Sequence, residues 1–285
     1  MLVNGSSGGG AGRDVAALEA AVARAGLDAR IVVVDGRDLT AAAEKAAATG
    51  VVIAAGGDGT VSTVASVAVK TGATLGVLPL GTLNHFARDA GIPGDPAEAA
   101  AVIRAGATRL VDVGEVNGRI FVNNISLGIY PRLVWERETA QRHGLGKWPA
   151  FSIALAKTWW TYRALTVRMQ IDGESMVRRT PFVLMGNGAY QVEGIGLGAR
   201  PSLDGGRLAA YVAPECGRLE LAALPLRALT RRLSPDVKFE AFTGREIILE
   251  PSRPRVGMAI DGEIAVTHPP LRCHIRPGAL RVILP

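Results

Sequence analysis

Short apolar runs alternate with amphipathic stretches through residues 1–114. Residues 31–34, 51–54, 74–78 and 109–113 are compact runs of aliphatic and β-branched side chains, which predicts strands. Between them Val15, Leu18 and Val22 recur at helical spacing, and residues 40–48 form an alanine-rich helix. Asp95-Pro96 reads as an N-cap followed by proline at the first helical position, opening a helix over 97–105. Strand and helix in alternation predict a parallel sheet with helices on both faces.

The pattern changes after Gly114. Strand-like runs then dominate, at 120–125, 165–171, 180–185, 208–212, 237–242, 246–249, 256–260 and 280–284, with turn residues between them. One helical segment, at 150–162, interrupts the series. The expected architecture is an α/β N-terminal domain over 1–114. It is followed by an all-β sandwich over 115–285.

Composition narrows the function classes. The chain has 285 residues, of which 32 are basic and 26 acidic, for a net charge of +6. No block of like charge occurs, so a nucleic-acid tail is not expected. A diffuse positive surface favours an anionic membrane face or a phosphorylated ligand. Cys216 and Cys273 lie far apart without metal-type spacing, which suggests a reducing compartment. No signal segment and no uncharged apolar run of about 18 residues is found, so a cytoplasmic location with peripheral membrane contact is expected. Trp148, Trp159, Trp160 and Tyr162, with Lys147 and Arg163, suit either a membrane interface or core packing. A homodimer stays open.

The glycines carry the main chemical signal. Asn4-Gly5-Ser6-Ser7-Gly8 precedes the first helix; Gly56-Gly57-Asp58-Gly59-Thr60 and Pro79-Leu80-Gly81-Thr82-Leu83-Asn84 each follow a strand and open a helix. In a parallel sheet such turns sit at the carboxyl edge, where ligands bind. Helix N-termini there present free N–H groups, and glycine lets backbone approach oxygen closely, so the expected site is a phosphate cradle. Any one such turn can be merely tight, and Thr82 or Asn84 can merely cap a helix. Gly56–Thr60 is the sharper signal, because a plain turn needs neither the carboxylate nor the hydroxyl.

At these residues the chain resembles the diacylglycerol kinase catalytic domain family. The matching pieces are the turn from Gly56 to Thr60, the stretch from Pro79 to Arg88, and the late Asp261-Gly262-Glu263. The resemblance implies a two-domain kinase that uses ATP and Mg²⁺ and phosphorylates a hydroxyl-bearing lipid substrate. Three departures stand out. Gly5 replaces the family's proline, His85 stands where it favours aspartate, and Gly205 occupies the place of an aspartate that serves a second Mg²⁺ in bacterial members.

The resemblance also implies residue roles. Gly56, Gly57, Asp58, Gly59 and Thr60 would hold the ATP phosphates, with Asp58 on Mg²⁺ and counted as catalytic. Thr82 and Asn84 would close the other side of the nucleotide, and Asn4, Ser7 and Gly8 would line the edge. Glu263 is the favoured general base, with Asp261 the alternative. The competing reading of that motif is a hairpin turn, since Asp-Gly is a favoured two-residue turn and Ile171-Asp172-Gly173-Glu174 repeats it. Other readings of the whole chain are an NAD kinase-like enzyme or an inactive lipid-binding regulator. The acceptor is open among diacylglycerol, phosphatidylglycerol, a sphingoid base and an isoprenoid alcohol.

Overall fold

The structure is a computed structural model that describes residues 1–5, 15–143, 146–193, 196–217 and 239–285. The chain divides into two compact units. Unit 1 holds Met1–Asn123, Ala199–Gly206 and Ile275–Pro285; unit 2 holds Asn124–Gly198 and Arg207–His274.

Unit 1 begins β1 (Leu2–Asn4), α1 (Val15–Arg24), β2 (Val32–Val34), α2 (Leu39–Ala47), β3 (Val51–Gly56), α3 (Asp58–Thr71) and β4 (Thr74–Pro79). It continues with α4 (His85–Asp89), α5 (Pro96–Ala105), β5 (Thr108–Val116) and β6 (Arg119–Phe121). Unit 2 contains β7 (Asn124–Gly128), α6 (Ile129–Arg142), α7 (Lys147–Trp160), β8 (Leu165–Ile171), β9 (Glu174–Thr180) and β10 (Phe182–Asn187). Then come β11 (Val192–Glu193), β12 (Gly196–Leu197), β13 (Leu208–Val212), β14 (Glu240–Gly244), β15 (Glu246–Pro251), β16 (Val256–Ile260) and β17 (Glu263–Thr267). The last strand, β18 (Leu271–Ile283), starts in unit 2 and ends in unit 1.

In unit 1 the parallel order is β2-β1-β3-β4, followed by the later part of β18, with Val52 opposite Leu75 and Val282 opposite Leu75 on its other side. The middle strands are apolar at nearly every position, as expected where helices cover both faces. Val64, Ala65 and Ala68 of α3 join Leu75, Val77, Leu280 and Val282 in one core. Small residues on α3 bring the helix close to the sheet. The start of α5 follows its sequence signal: the Asp95 carboxylate accepts from the N–H groups of Ala97 and Glu98, and Pro96 fills the first position.

Unit 2 is an antiparallel β sandwich. One sheet runs from the first residues of β18 through β15 and β8 to β9; the other has the order β14-β13-β10-β7-β16-β17. It differs from the expected all-β domain by two packed helices, α6 and α7. The segment of α6 is rich in charge and buries only Val134 and Ala140 among its aliphatic residues outside Pro131, so no clear apolar stripe marks it. Pro131 sits in its first turn, where a missing N–H costs little. The α7 helix runs 147–160 rather than 150–162.

Strand limits also shift. The run at 120–125 splits between β6 and β7, and that at 180–185 between β9 and β10. β9 and β17 are not among the expected strands, because neither alternates cleanly between apolar and polar residues: Val177 and Val266 are exposed. Of the strand expected at 237–242, residues 237 and 238 lie outside the described residues. The run at 280–284 is the tail of β18, which passes straight through Pro277-Gly278. Gly278 takes φ 59°, and its N–H donates to the buried Asp112 carboxylate at 2.9 Å. The other Asp112 oxygen accepts from Gly206 N–H at 2.6 Å, and the Asp112 N–H reaches the Leu203 carbonyl. One side chain thus fastens both returning segments to β5.

Candidate active site

The carboxyl ends of β1, β3 and β4 lie side by side in unit 1, and each leads into a loop that carries predicted site residues. Asn4 ends β1, and its side-chain amide donates to the buried Thr60 hydroxyl at 3.3 Å. Thr60 sits in the first turn of α3, so this bond joins the first loop to the second.

Gly57 caps α3, and the first helical bond runs from Val61 N–H to the Gly57 carbonyl. The N–H groups of Asp58, Gly59 and Thr60 precede that bond and point out of the helix end. The third loop presses against this turn. A Cβ on Gly81 would stand 2.5 Å from the Gly57 Cα and 2.7 Å from the Asn84 side-chain oxygen. Glycine at 81 is what allows the two loops this approach, and a Cβ on Gly57 would also be tight, at 3.3 Å from the Gly81 Cα.

Asn84 fixes the shape of the third loop. It takes φ 47° in the left-handed region, its Oδ1 accepts from Gly81 N–H at 3.0 Å, and its Nδ2 donates to the Gly81 carbonyl at 2.8 Å. Asparagine tolerates that backbone and supplies both partners. The Asp58 carboxylate accepts from Phe86 N–H at 3.4 Å, in the first turn of α4. Thr82 is exposed on the same loop. Asn4, Gly56, Gly57, Asp58, Gly59, Thr60, Thr82 and Asn84 therefore belong to one edge of one sheet. Ser7 and Gly8 lie outside the described residues.

This edge fits a nucleotide phosphate. It offers backbone donors, space that a Cβ would fill, and one carboxylate. Among the described residues no group of three or more His, Cys, Asp or Glu side chains could hold a metal. A Mg²⁺ here would take its remaining ligands from phosphate and water, as that ion ordinarily does. The loop around Asp204 is closed on itself: Asp204 accepts from the Ser202 hydroxyl, while Asp112 serves backbone donors as above.

Asp261 and Glu263 belong to unit 2. Asp261 and Gly262 take φ 46° and 89° between the paired Ile260 and Glu263, so the motif is a two-residue hairpin turn. Asp172 and Gly173 take φ 46° and 98° between the paired Ile171 and Glu174. The copies thus share one backbone geometry and differ in their surroundings. Asp261 is buried, accepts from Asn124 N–H at 3.0 Å and returns its own N–H to the Asn124 carbonyl at 2.8 Å. Asp172 is exposed and accepts from the N–H groups of Glu246 and Arg245, with Arg207 alongside at 3.3 Å; these donors hold its carboxyl below the usual range.

Two groups escaped the sequence reading. Asn124 also donates to the Tyr190 hydroxyl at 3.4 Å, and Tyr190 packs edge-on against Tyr211. Burial pushes the Tyr211 hydroxyl up from its ordinary value, while the Tyr190 N–H, which donates to it at 2.7 Å, pulls the other way. Arg200, its side chain wholly buried, pairs with Asp89 at the end of α4. Neither has a local signal, since the partners are separated by 66 and 111 residues.

Known proteins share these two domains. Residues 1–116 match the diacylglycerol kinase catalytic domain, and residues 136–284 match the YegS C-terminal NAD kinase beta sandwich-like domain. A Pseudomonas aeruginosa protein named "Probable lipid kinase YegS-like" is 30% identical over 100% of this chain and 93% of its own length. The Bacillus subtilis protein named "Diacylglycerol kinase" is 39% identical over 39% of this chain and 38% of its own. A crystal structure described as a diacylglycerol kinase from Bacillus anthracis shares the fold, with a TM-score of 0.70, 21% identity, and coverage of 100% of this chain and 95% of that one. The chain belongs to the diacylglycerol kinase family. Membership makes it a phosphotransferase of the ATP-dependent lipid kinase type.

Proposed function

We propose that this kinase transfers the γ-phosphoryl group of ATP to a hydroxyl of a neutral lipid such as diacylglycerol. The observation that carries the reading is the contact of Gly57 with Gly81, which draws two glycine loops and the start of α3 into one cradle. The N–H groups of Asp58, Gly59 and Thr60 bind phosphate oxygens there. Mg²⁺, when bound, neutralises charge on the transferring group. Asp58 orients that ion, Asn4, Thr60 and Asn84 keep the loops in place, and Thr82 with Asn84 closes the other side of the nucleotide. Residues 1–114 thus supply nucleotide binding, and residues 115–285 supply the acceptor side.

The acceptor hydroxyl must lose a proton as its oxygen attacks phosphorus. Glu263, which follows the buried Asp261 in this hairpin, takes the base role, with Asp261 the alternative. Lipid has to be reached at a bilayer, and α7 supports peripheral contact with an anionic surface. Its inward stripe is Ala150, Ala154 and Thr158, while Trp148 is 81% exposed and Trp160 71%. Among the described residues no helix is long and apolar enough to cross a membrane. Transfer of labelled phosphate from ATP to a panel of diacylglycerol, phosphatidylglycerol, sphingoid base and isoprenoid alcohol tests the reading. Diacylglycerol should be labelled. Absence of label on every lipid would remove the proposal.

A further inference from the structure

Unit 2 contains a cavity of about 300 Å³ between the start of α6, the end of α7 and strands β16 and β17. That volume falls at the lower end of the range for small-ligand sites. Its charge is one-sided: Arg132, Arg163, Arg253 and Arg255 line it against the single carboxylate of Glu136. Glu136 is already engaged by Lys157 at 3.5 Å. Arg132 is steadied by a bond to the Thr161 carbonyl, and among the described residues Arg163, Arg253 and Arg255 have no carboxylate partner. Four like charges around one small space repel unless an anion joins them.

A second observation points the same way. Thr158 lines the cavity and is 2% exposed, and its hydroxyl has no hydrogen-bond partner among the described residues. A buried hydroxyl left unpaired costs about 1–3 kcal/mol, so a ligand oxygen in the cavity would satisfy it. The remaining wall is apolar, formed by Ile129, Leu165, Val256 and Ile264. At its margin Trp135 is 52% exposed and Val266 69%. A tryptophan beside arginines is the composition that settles at the boundary of a bilayer.

We propose that this cavity binds the phosphodiester head group of an anionic phospholipid. The planar guanidinium groups take the phosphodiester, which they match better than an ammonium would. The Thr158 hydroxyl donates to a head-group oxygen, and the glycerol lies on Ile129 and Val256. The space does not admit whole acyl chains, so these stay in the membrane. The bound lipid ties the protein to the bilayer and makes its residence depend on head-group charge.

The test requires no turnover and therefore stands apart from the kinase reading. Intact protein is titrated calorimetrically with short-chain phosphatidylglycerol, with short-chain phosphatidylcholine and with inorganic phosphate, and co-sedimented with vesicles of phosphatidylcholine with and without phosphatidylglycerol. Wild type should bind the anionic lipid and its vesicles. Arg253→Ala/Arg255→Ala should weaken this by roughly thirtyfold, at about 1 kcal/mol for each basic residue. Thr158→Val should weaken it about tenfold, the loss of one bond to a charged group. Arg37→Ala/Arg104→Ala removes the same charge from unit 1 and should leave short-chain lipid binding unchanged. Equal loss in that control would reduce the effect to overall charge and overturn the site. So would inorganic phosphate binding as tightly as the short-chain lipid, equal binding to both lipid types, or full affinity in Thr158→Val.

Discussion

Arg200 and Asp89 face each other at 2.7 Å with both side chains fully excluded from solvent. The guanidinium also donates to the Val122 carbonyl at 2.7 Å and to the Asn123 side-chain oxygen at 3.1 Å. These bonds join the returning segment 199–206 to the end of α4. Removing Arg200 leaves the buried Asp89 with only the half-exposed Arg88, at 3.4 Å, as a cationic partner, which costs up to about 3–5 kcal/mol. Arg200→Ala should therefore lower unfolding stability by that amount, read from urea denaturation. Arg200→Met with Asp89→Leu should recover a large part, because no lone charge remains. A loss of under about 1 kcal/mol in Arg200→Ala would show a pair of surface character.

The contact between Gly57 and Gly81 leads to a second prediction. Gly81→Ala places a methyl group against the Gly57 Cα and the Asn84 side chain, so the loops must part. Calorimetry with ATP and Mg²⁺ should show at least about tenfold weaker binding, the effect of misplacing preorganised donors by an ångström or so. Gly57→Val should weaken binding too, since its Cβ would stand 3.3 Å from the Gly81 Cα and carries two further methyl groups. Unaltered affinity in both variants would place the nucleotide elsewhere.

The duplicated hairpins provide a matched comparison for the base. Glu263→Gln should lower turnover by roughly 10²–10⁴-fold, the contribution of a positioned general base, with little change in nucleotide affinity. Glu174→Gln, at the same backbone position of the other hairpin, should stay within a factor of a few. Asp261→Asn is the third member: a larger loss there than in Glu263→Gln, at equal stability, would transfer the base role to Asp261. Full activity in all three would make both hairpins structural.

Alkaline pH should destabilise the fold through groups buried in neutral form. Burial pushes the Cys273 thiol up to about 12 from an ordinary 9.0, and burial also raises Tyr162, which donates to the Cys216 carbonyl. The unfolded chain releases the thiol proton above pH 9.0 while the folded chain keeps it. This stabilisation is therefore complete below that pH and is lost as pH rises towards about 12. Urea midpoints at pH 8 and 10.5 should differ, and Cys273→Val should narrow the difference. The Cys273 thiol should also resist an aromatic disulfide reagent at pH 8 until the protein unfolds.

Much of unit 1 was legible because its signals are local. Asp95, Pro96 and Gly106 bound α5 by chemistry acting within one turn of the chain. The glycines at 56, 57 and 81 stood out because that chemistry needs bare backbone. Unit 2 was harder to read. Two-residue turns reveal hairpins, yet β9, with Arg178 and Arg179, lacks the alternation of a half-buried strand. Pro277-Gly278 looks like a break, and only the distant Asp112 carboxylate lets β18 continue. The burial of Asp261 depends on Asn124, 137 residues away, so no local rule separates it from Asp172.

The path of β18 has a consequence for biosynthesis. Its residues from Ile275 onward belong to unit 1, where Val282 lies beside Leu75 and the Leu284 N–H bonds the Ala107 carbonyl. Unit 2, whose last residue is His274, is fully translated before that strand exists. Unit 1, although it starts the chain, can therefore be completed only after unit 2 has been made. Until then the first half has one side of β4 uncovered. A release at residue 123 should give a fragment that chaperones retain, rather than a small working nucleotide-binding domain.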